Sequence, residues 1–228
     1  GTKNLVLEMG MRGRGHIQYL CDIAEPTIAV VTNVGLAHVG EVGTIADIAD
    51  AKAELVESLQ NNGIAILNAD DQNVLAMQGR TQAHVVTYGL NSAAHIRATD
   101  VSVHSDGTTS FTVQVSTQTQ DVTLPLIGTH NVSNALAAIA VGMSTGLSLV
   151  DCADALASVE LKSKWRMERH ELDRGIVLIN DAYNANPDSM KAAIASLATF
   201  TSAHQTWLVV AGMHELGDDS QNLHKAIG

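Results

Sequence analysis

Aromatic side chains are scarce in this sequence: Phe, Trp and Tyr together make up 3% of its 228 residues. A core must therefore be built from Ala, Val, Ile and Leu, and a hydrophobic content of 46% is enough for a sizeable one. Cysteine is scarcer still. Cys21 and Cys152 lie far apart with no metal-ligand spacing, which excludes a disulfide framework and fits a reducing, cytoplasmic setting. Long apolar runs are missing. Ile28–Val31 and Ile176–Ile179 fall far short of the ~20 residues a membrane helix needs. No secretory leader pattern opens at Gly1, and the lack of a starting Met leads to the expectation of a piece of a longer chain. Basic residues are few, 13 against 24 acidic ones, for a formal net charge of −11. With no Lys/Arg-rich run, nucleic acid is not an expected partner. An acidic protein can still hold anions if a metal or a local cation supplies the field. The 10 histidines form no H-E-x-x-H pair, so a zinc hydrolase is not indicated. No G-x-x-x-x-G-K-[ST] run occurs, and Gly10-Met11-Arg12-Gly13-Arg14-Gly15 reads as a flexible Gly-rich turn rather than a phosphate loop.

What is present reads as α/β architecture. Leu5 to Glu8 ends a strand, Ile17 to Ala24 forms a short helix, and Pro26 breaks it. Ile28 to Asn33 is a near-continuous apolar strand of the kind buried on both faces of a parallel sheet. Thr44 to Leu59 is a helix, with Thr44 as N-cap and Asp47 three residues on. Ile64 to Asn68 is a third strand. After Tyr88, alternation at Val101/Val103, Phe111/Val113/Val115 and Val122/Leu124, with a turn at Ser105–Thr108, predicts an antiparallel patch. Two Ala-rich helices follow, Val132 to Ser144 and Leu149 to Ser158. The pattern restarts near Lys162–Trp165, with a strand at Ile176–Asn180, a helix at Pro187–Thr199 and a strand at Trp207–Ala211. The expected domains are 1–162 and 163–228, the second cut short.

Ligands in open α/β sheets gather at the carboxyl ends of the strands. Glu8, Asn33 and Asp181 sit at such ends, and His38 follows Asn33. Singly, each is as consistent with capping a loop; together, Glu8 and His38 could meet at one divalent ion. Lys52 shares the inward face of its helix with Ile48 and Val56. It either snorkels its amine to the surface or serves as a functional amine with a burial-lowered pKa, open to carbon dioxide.

These residues resemble the Mur ligase family. Leu7-Glu8-Met9-Gly10 is similar to the strand ending in its metal-binding glutamate. Asn33 through His38 is similar to its Asn-x(4)-His segment, and Ala51-Lys52-Ala53-Glu54 to the site of its carbamylated lysine. Gly128-Thr129-His130-Asn131-Val132-Ser133-Asn134-Ala135 resembles its adenine-contacting run, in which Asn131 takes the contacting place. Trp165-Arg166-Met167-Glu168 and Asn180-Asp181-Ala182-Tyr183-Asn184-Ala185-Asn186-Pro187 resemble the start and the nucleotide loop of its C-terminal domain.

The resemblance implies a fold and a chemistry. The fold would be a mostly parallel sheet flanked by helices, with an appended antiparallel patch, and then the start of a second Rossmann-like α/β domain. The catalytic and metal set would be Glu8, His38 and Lys52 as a carbamate. The nucleotide set would be Asn131, Arg166, Asp181 and Asn184. ATP and Mg2+ are the implied cofactors, with carbamylated lysine as a modification. Within the family, the Asp181–Asn186 and Met213–Gly217 runs look most like members that join D-alanyl-D-alanine to a UDP-linked muramoyl tripeptide in peptidoglycan synthesis, through an acyl phosphate. A monomer is expected, and one inactive by itself for want of a phosphate loop. Two alternatives stand beside this: a folylpolyglutamate synthase, which shares the architecture, and a non-catalytic nucleotide-binding module.

Overall fold

A computed structural model describes residues 1–35, 43–104, 106–160, 163–200 and 205–227. Its main sheet has six strands in the order β1 (Ile28–Val31), β2 (Ile64–Asn68), β3 (His84–Gly89), β4 (Ile96–Val103), β5 (Thr109–Val115) and β6 (Gln118–Leu124). The first four run parallel, and β5 and β6 are antiparallel additions. The β3–β4 pairing is short, limited to Tyr88↔Ile96 and Gly89↔Arg97. The ladder between β4 and β5 shifts register between Thr99 and Ser102, where Asp100 adopts a φ of 55°.

Helices cover both faces. On one side α2 (Ile45–Glu57) and α3 (Gln72–Ala76) bury Ile48, Val56 and Val74 against Ala29, Val31, Ala65 and Leu67. On the other, α4 (His130–Ser144) and α5 (Leu149–Ala157) bury Leu136, Ile139 and Leu149 against Ile66, Tyr88, Val113 and Leu124. The period-2 alternation of β2, with Ala65 and Leu67 on one side and Ile66 on the other, lets one strand serve both cores. α2 begins where the sequence places it: Thr44 accepts from Asp47 N–H, and Asp47 returns the bond in a capping box. A second capping box, Ser148 with Asp151, starts α5.

A separate two-stranded antiparallel sheet pairs β7 (Glu168–Leu172) with β8 (Ile176–Asn180). The helix α6 (Pro187–Thr199) follows, capped by Asn186, and a short helix α7 (Ser220–Lys225) ends the described chain. Two expected strands are not there. Leu5–Glu8 is irregular, with Leu5 75% and Val6 85% exposed, and Trp207–Ala211 is irregular, with Trp207 81% and Val209 93% exposed. Both have strand composition, but neither gains a ladder partner among the described residues, and an unpaired strand has nothing to hold it extended. The Ser105–Thr108 turn is present from Asp106 onward, closed by His104 N–H to Thr108 O at 2.8 Å.

Candidate active site

Three neighbouring strands leave the sheet side by side, and the four residues that close β2 tie them together. The amide of Asn68 donates to Thr32 O at 2.8 Å, at the exit of β1. Asp70 accepts from Leu90 N–H at 2.7 Å and Asn91 N–H at 2.8 Å, at the exit of β3. Gly89 must be glycine here: its φ is 155°, and a Cβ would lie 2.7 Å from the Asp70 carboxylate. Asp71 accepts from Val34 N–H at 2.6 Å with one oxygen. Its other oxygen caps α3 through Asn73 and Val74.

Lys52 reaches this exit from α2. It is half-buried, and Nζ donates to Asn33 O at 2.7 Å. Burial lowers its pKa, and the nearby charge of Asp71 pulls the other way. Among the described residues, no carboxylate is hydrogen-bonded to this amine. Glu8 is exposed on the irregular segment, and neither a hydrogen bond nor an ion pair joins it to Lys52. His38 lies outside the described residues. No cluster of three His, Cys, Asp or Glu side chains forms among the described residues. Glu8 offers the hard oxygen that Mg2+ prefers. Lys52 as an ammonium would repel the ion and fits it only as an oxygen-bearing carbamate.

α2 also fastens the Gly-rich segment on its other side. Glu54 accepts from Gly15 N–H at 2.6 Å and Gln18 N–H at 3.0 Å, holding the first turn of α1 (His16–Ala24). Arg14 pairs with Asp50. The Gly10–Gly15 run is therefore a tied turn: Gly15 N–H goes to the Glu54 carboxylate, and Arg12 N–H donates to His16 Nδ1 at 3.3 Å.

The second cluster lies around the start of α4. The Asn131 amide donates to Ile127 O at 2.9 Å, and its oxygen accepts from Asn134 at 3.3 Å. Next to it, the ring of His130 packs into a tight corner. Gly128 has a φ of 99°, and a Cβ there would fall 2.6 Å from the His130 ring and 2.7 Å from Ser196 Oγ of α6. His130 keeps an exposed edge, yet this crowding lowers its pKa, opposed by the charge of Asp181. Asp181 leaves β8 and accepts from Met167 N–H at 3.0 Å. Tyr183 N–H donates to Trp165 O at 3.0 Å, and the Arg166 guanidinium lies 4.2 Å from the Tyr183 ring centroid. Trp165 and Met167 both take positive φ, 63° and 50°, so Arg166 sits on a sharply folded turn clamped to the Asp181–Tyr183 loop. Asn184 is exposed, and its side chain accepts from Ala185 N–H at 2.8 Å.

α6 runs along this junction. A Cβ on Gly35 would lie 2.9 Å from the Asp188 carboxylate, and one on Gly107 would lie 2.9 Å from the ring of Phe200, just past its end. The structure thus brings Arg166, Asp181 and the His130–Asn131 turn to one junction, and Lys52 to Asn33. It does not join Glu8 to either group. Asn68, Asp70, Asp71 and His130 are functional candidates that the sequence reading passed over. The rule that ligands gather at strand ends covers Asn68-Ala69-Asp70-Asp71 as well as Asn33, so the signal was available.

This combination of a mostly parallel sheet and a following α/β unit has clear kin. The chain belongs to the Mur ligase family: residues 1–142 match the Mur ligase middle domain, and residues 165–228 match the Mur ligase, glutamate ligase domain. More particularly, it is 40% identical over 233 residues to the UDP-N-acetylmuramoyl-tripeptide--D-alanyl-D-alanine ligase of Mycobacterium tuberculosis H37Rv, covering 100% of this chain and 45% of that protein. Crystal structure I of MurF from Acinetobacter baumannii superposes with a TM-score of 0.85 at 29% identity, over 96% of this chain and 47% of that one. MurF ligase from Thermotoga maritima in complex with ADP superposes with a TM-score of 0.84 at 26% identity, over 96% and 49%. The chain spans about half the length of the curated relatives it matches. No described helix is long and apolar enough to cross a membrane.

Proposed function

We propose that this chain is the nucleotide- and metal-handling part of a cytoplasmic ligase that adds D-alanyl-D-alanine to a UDP-linked muramoyl tripeptide. The observation that supports it most is the junction where the His130–Asn131 turn faces Asp181 beside Arg166. The relative crystallised with ADP shares this architecture, at 26% identity.

In the proposed reaction a carboxylate oxygen of the tripeptide attacks the γ-phosphorus of ATP. An O–P bond forms and ADP leaves. The amine of D-alanyl-D-alanine then attacks the acyl carbon, a C–N bond forms, phosphate departs with the acyl oxygen, and the amine proton passes to solvent. Asn131 would orient the adenine, and Arg166 and Asp181 with Asn184 would hold the nucleotide from the second unit, the division between units falling near 162. Glu8, His38 and Lys52 would hold Mg2+, which when bound neutralises charge building on the phosphates. For Lys52 this requires the neutral amine to add carbon dioxide, forming an N–C bond and releasing a proton. Burial, which favours the neutral amine, supports that step.

The test is binding, not turnover. Saturation-transfer NMR detects weak complexes, and ADP with Mg2+ at millimolar concentration should show transfer to the adenine protons. Asn131→Ala should weaken that signal severalfold. Equal signals from both proteins would remove Asn131 from the site, and no transfer with the unaltered chain would remove the nucleotide reading.

A further inference from the structure

The peptide between Asn33 and Val34 is gripped at both ends. Its C=O accepts from Lys52 Nζ at 2.7 Å, and its N–H donates to Asp71 Oδ2 at 2.6 Å. In a trans peptide these two groups point in opposite directions, so one planar unit lies between an anion and a cation. The peptide dipole is aligned with both charges: N–H toward the carboxylate, C=O toward the ammonium. The preceding carbonyl, Thr32 O, is fixed separately by the Asn68 amide. Asp71 is itself fixed, because its second oxygen caps α3 at Asn73 (2.9 Å) and Val74 (3.1 Å).

From this we propose that Asp71 is a positioning residue that sets the place of the Lys52 amine through the single peptide 33–34. Asp71 holds the N–H end, the planar peptide carries that constraint across, and the carbonyl end holds Nζ. No direct hydrogen bond between the two side chains is needed. α3, which carries no other candidate site residue, is thereby coupled to α2, which carries Lys52. The placement follows from hydrogen bonds alone; only the Mg2+ arm of the test below rests on the ligase reading.

Asp71→Asn separates this role from a purely structural one. Asn is as good an N-cap as Asp, so its oxygen should remain on Asn73 and Val74. That turns the amide NH2 against Val34 N–H, donor against donor. Three readings follow in the full 228-residue chain. Amide exchange at Val34 should rise roughly tenfold while Asn73 and Val74 stay protected. Competitive acetylation of Lys52, read against exposed Lys191, should rise severalfold as the amine is released. The Mg2+ concentration for half-maximal ADP binding should rise roughly tenfold, about 1.4 kcal/mol, with ADP affinity at saturating Mg2+ within about twofold. Faster Val34 exchange with unchanged Lys52 labelling would overturn the proposal, leaving Asp71 as a loop anchor only. Unchanged Val34 exchange would overturn it as well. If the unaltered chain binds no ADP, the ligase reading fails, and the exchange and labelling arms still decide this one.

Discussion

Lys52 shares the face of α2 that carries Ile48 and Val56, and its amine donates to the backbone carbonyl of Asn33. Carbamylation leaves Nζ one N–H, enough to keep the bond to Asn33 O, but it places an anion close to Asp71, so the carbamate should appear only when a divalent cation offsets the two negative charges. The expected outcome with 13C-labelled bicarbonate is a carbamate carbonyl resonance in the presence of Mg2+ and ADP, absent in Lys52→Arg. A resonance that persists in Lys52→Arg would assign it elsewhere. Tyr88 gives a second residue-scale prediction. It is fully buried, its hydroxyl finds no partner within hydrogen-bond geometry although Ser133 lies near, and burial raises its pKa. Tyr88→Phe should leave stability unchanged or raise it by up to ~1 kcal/mol in urea unfolding. A loss larger than that would show that Ser133 bonds the hydroxyl after all.

At the scale of the element, the capping boxes carry the clearest consequences. Thr44→Ala removes the α2 cap and should cost ~1 kcal/mol, read as a lower urea midpoint, as should Ser148→Ala for α5. A larger loss of ADP binding in Thr44→Ala than in Ser148→Ala is expected, because α2 carries Lys52, Glu54 and Asp50. Elements with strong local signals were legible before the fold: α2 from Thr44 and Asp47, and β2 and α6 within their observed bounds. Leu5–Glu8 and Trp207–Ala211 were misread because β-propensity states what fits a pleated surface, not whether a partner strand is beside it. β3 was passed over although His84–Gly89 carries the apolar Val85 and Val86, and β7 because Glu168–Leu172 is mostly polar, as a two-stranded exposed sheet permits. The site was legible where one residue type is chemically unusual, as a lysine on an apolar face is. The strand-end rule also reaches Asn68, Asp70 and Asp71, but the backbone groups they bind lie 20 to 37 residues away, and only the fold brings those together.

For the whole molecule, the junction along α6 decides how the two sheets relate. Gly128 is its narrowest point, with the His130 ring and Ser196 Oγ both inside the space a Cβ would fill, and a φ of 99° that disfavours any L side chain. Gly128→Ala should therefore cost ~1–3 kcal/mol. It should also weaken ADP binding, since the turn that carries His130 and Asn131 would shift away from Asp181. Wild-type stability in Gly128→Ala, measured by urea unfolding, would mean that the corner relaxes without loss.

The central claim is that one nucleotide is held by both parts of the chain, and mapping ADP with Mg2+ onto the backbone amides by NMR tests it most directly. The account predicts shifts at Thr129–Val132 together with Arg166 and Asp181–Asn184, all saturating at one ADP concentration. Shifts confined to one of these groups, or centred on the hollow lined by Gly10, Met11, Arg12 and His16, would contradict it.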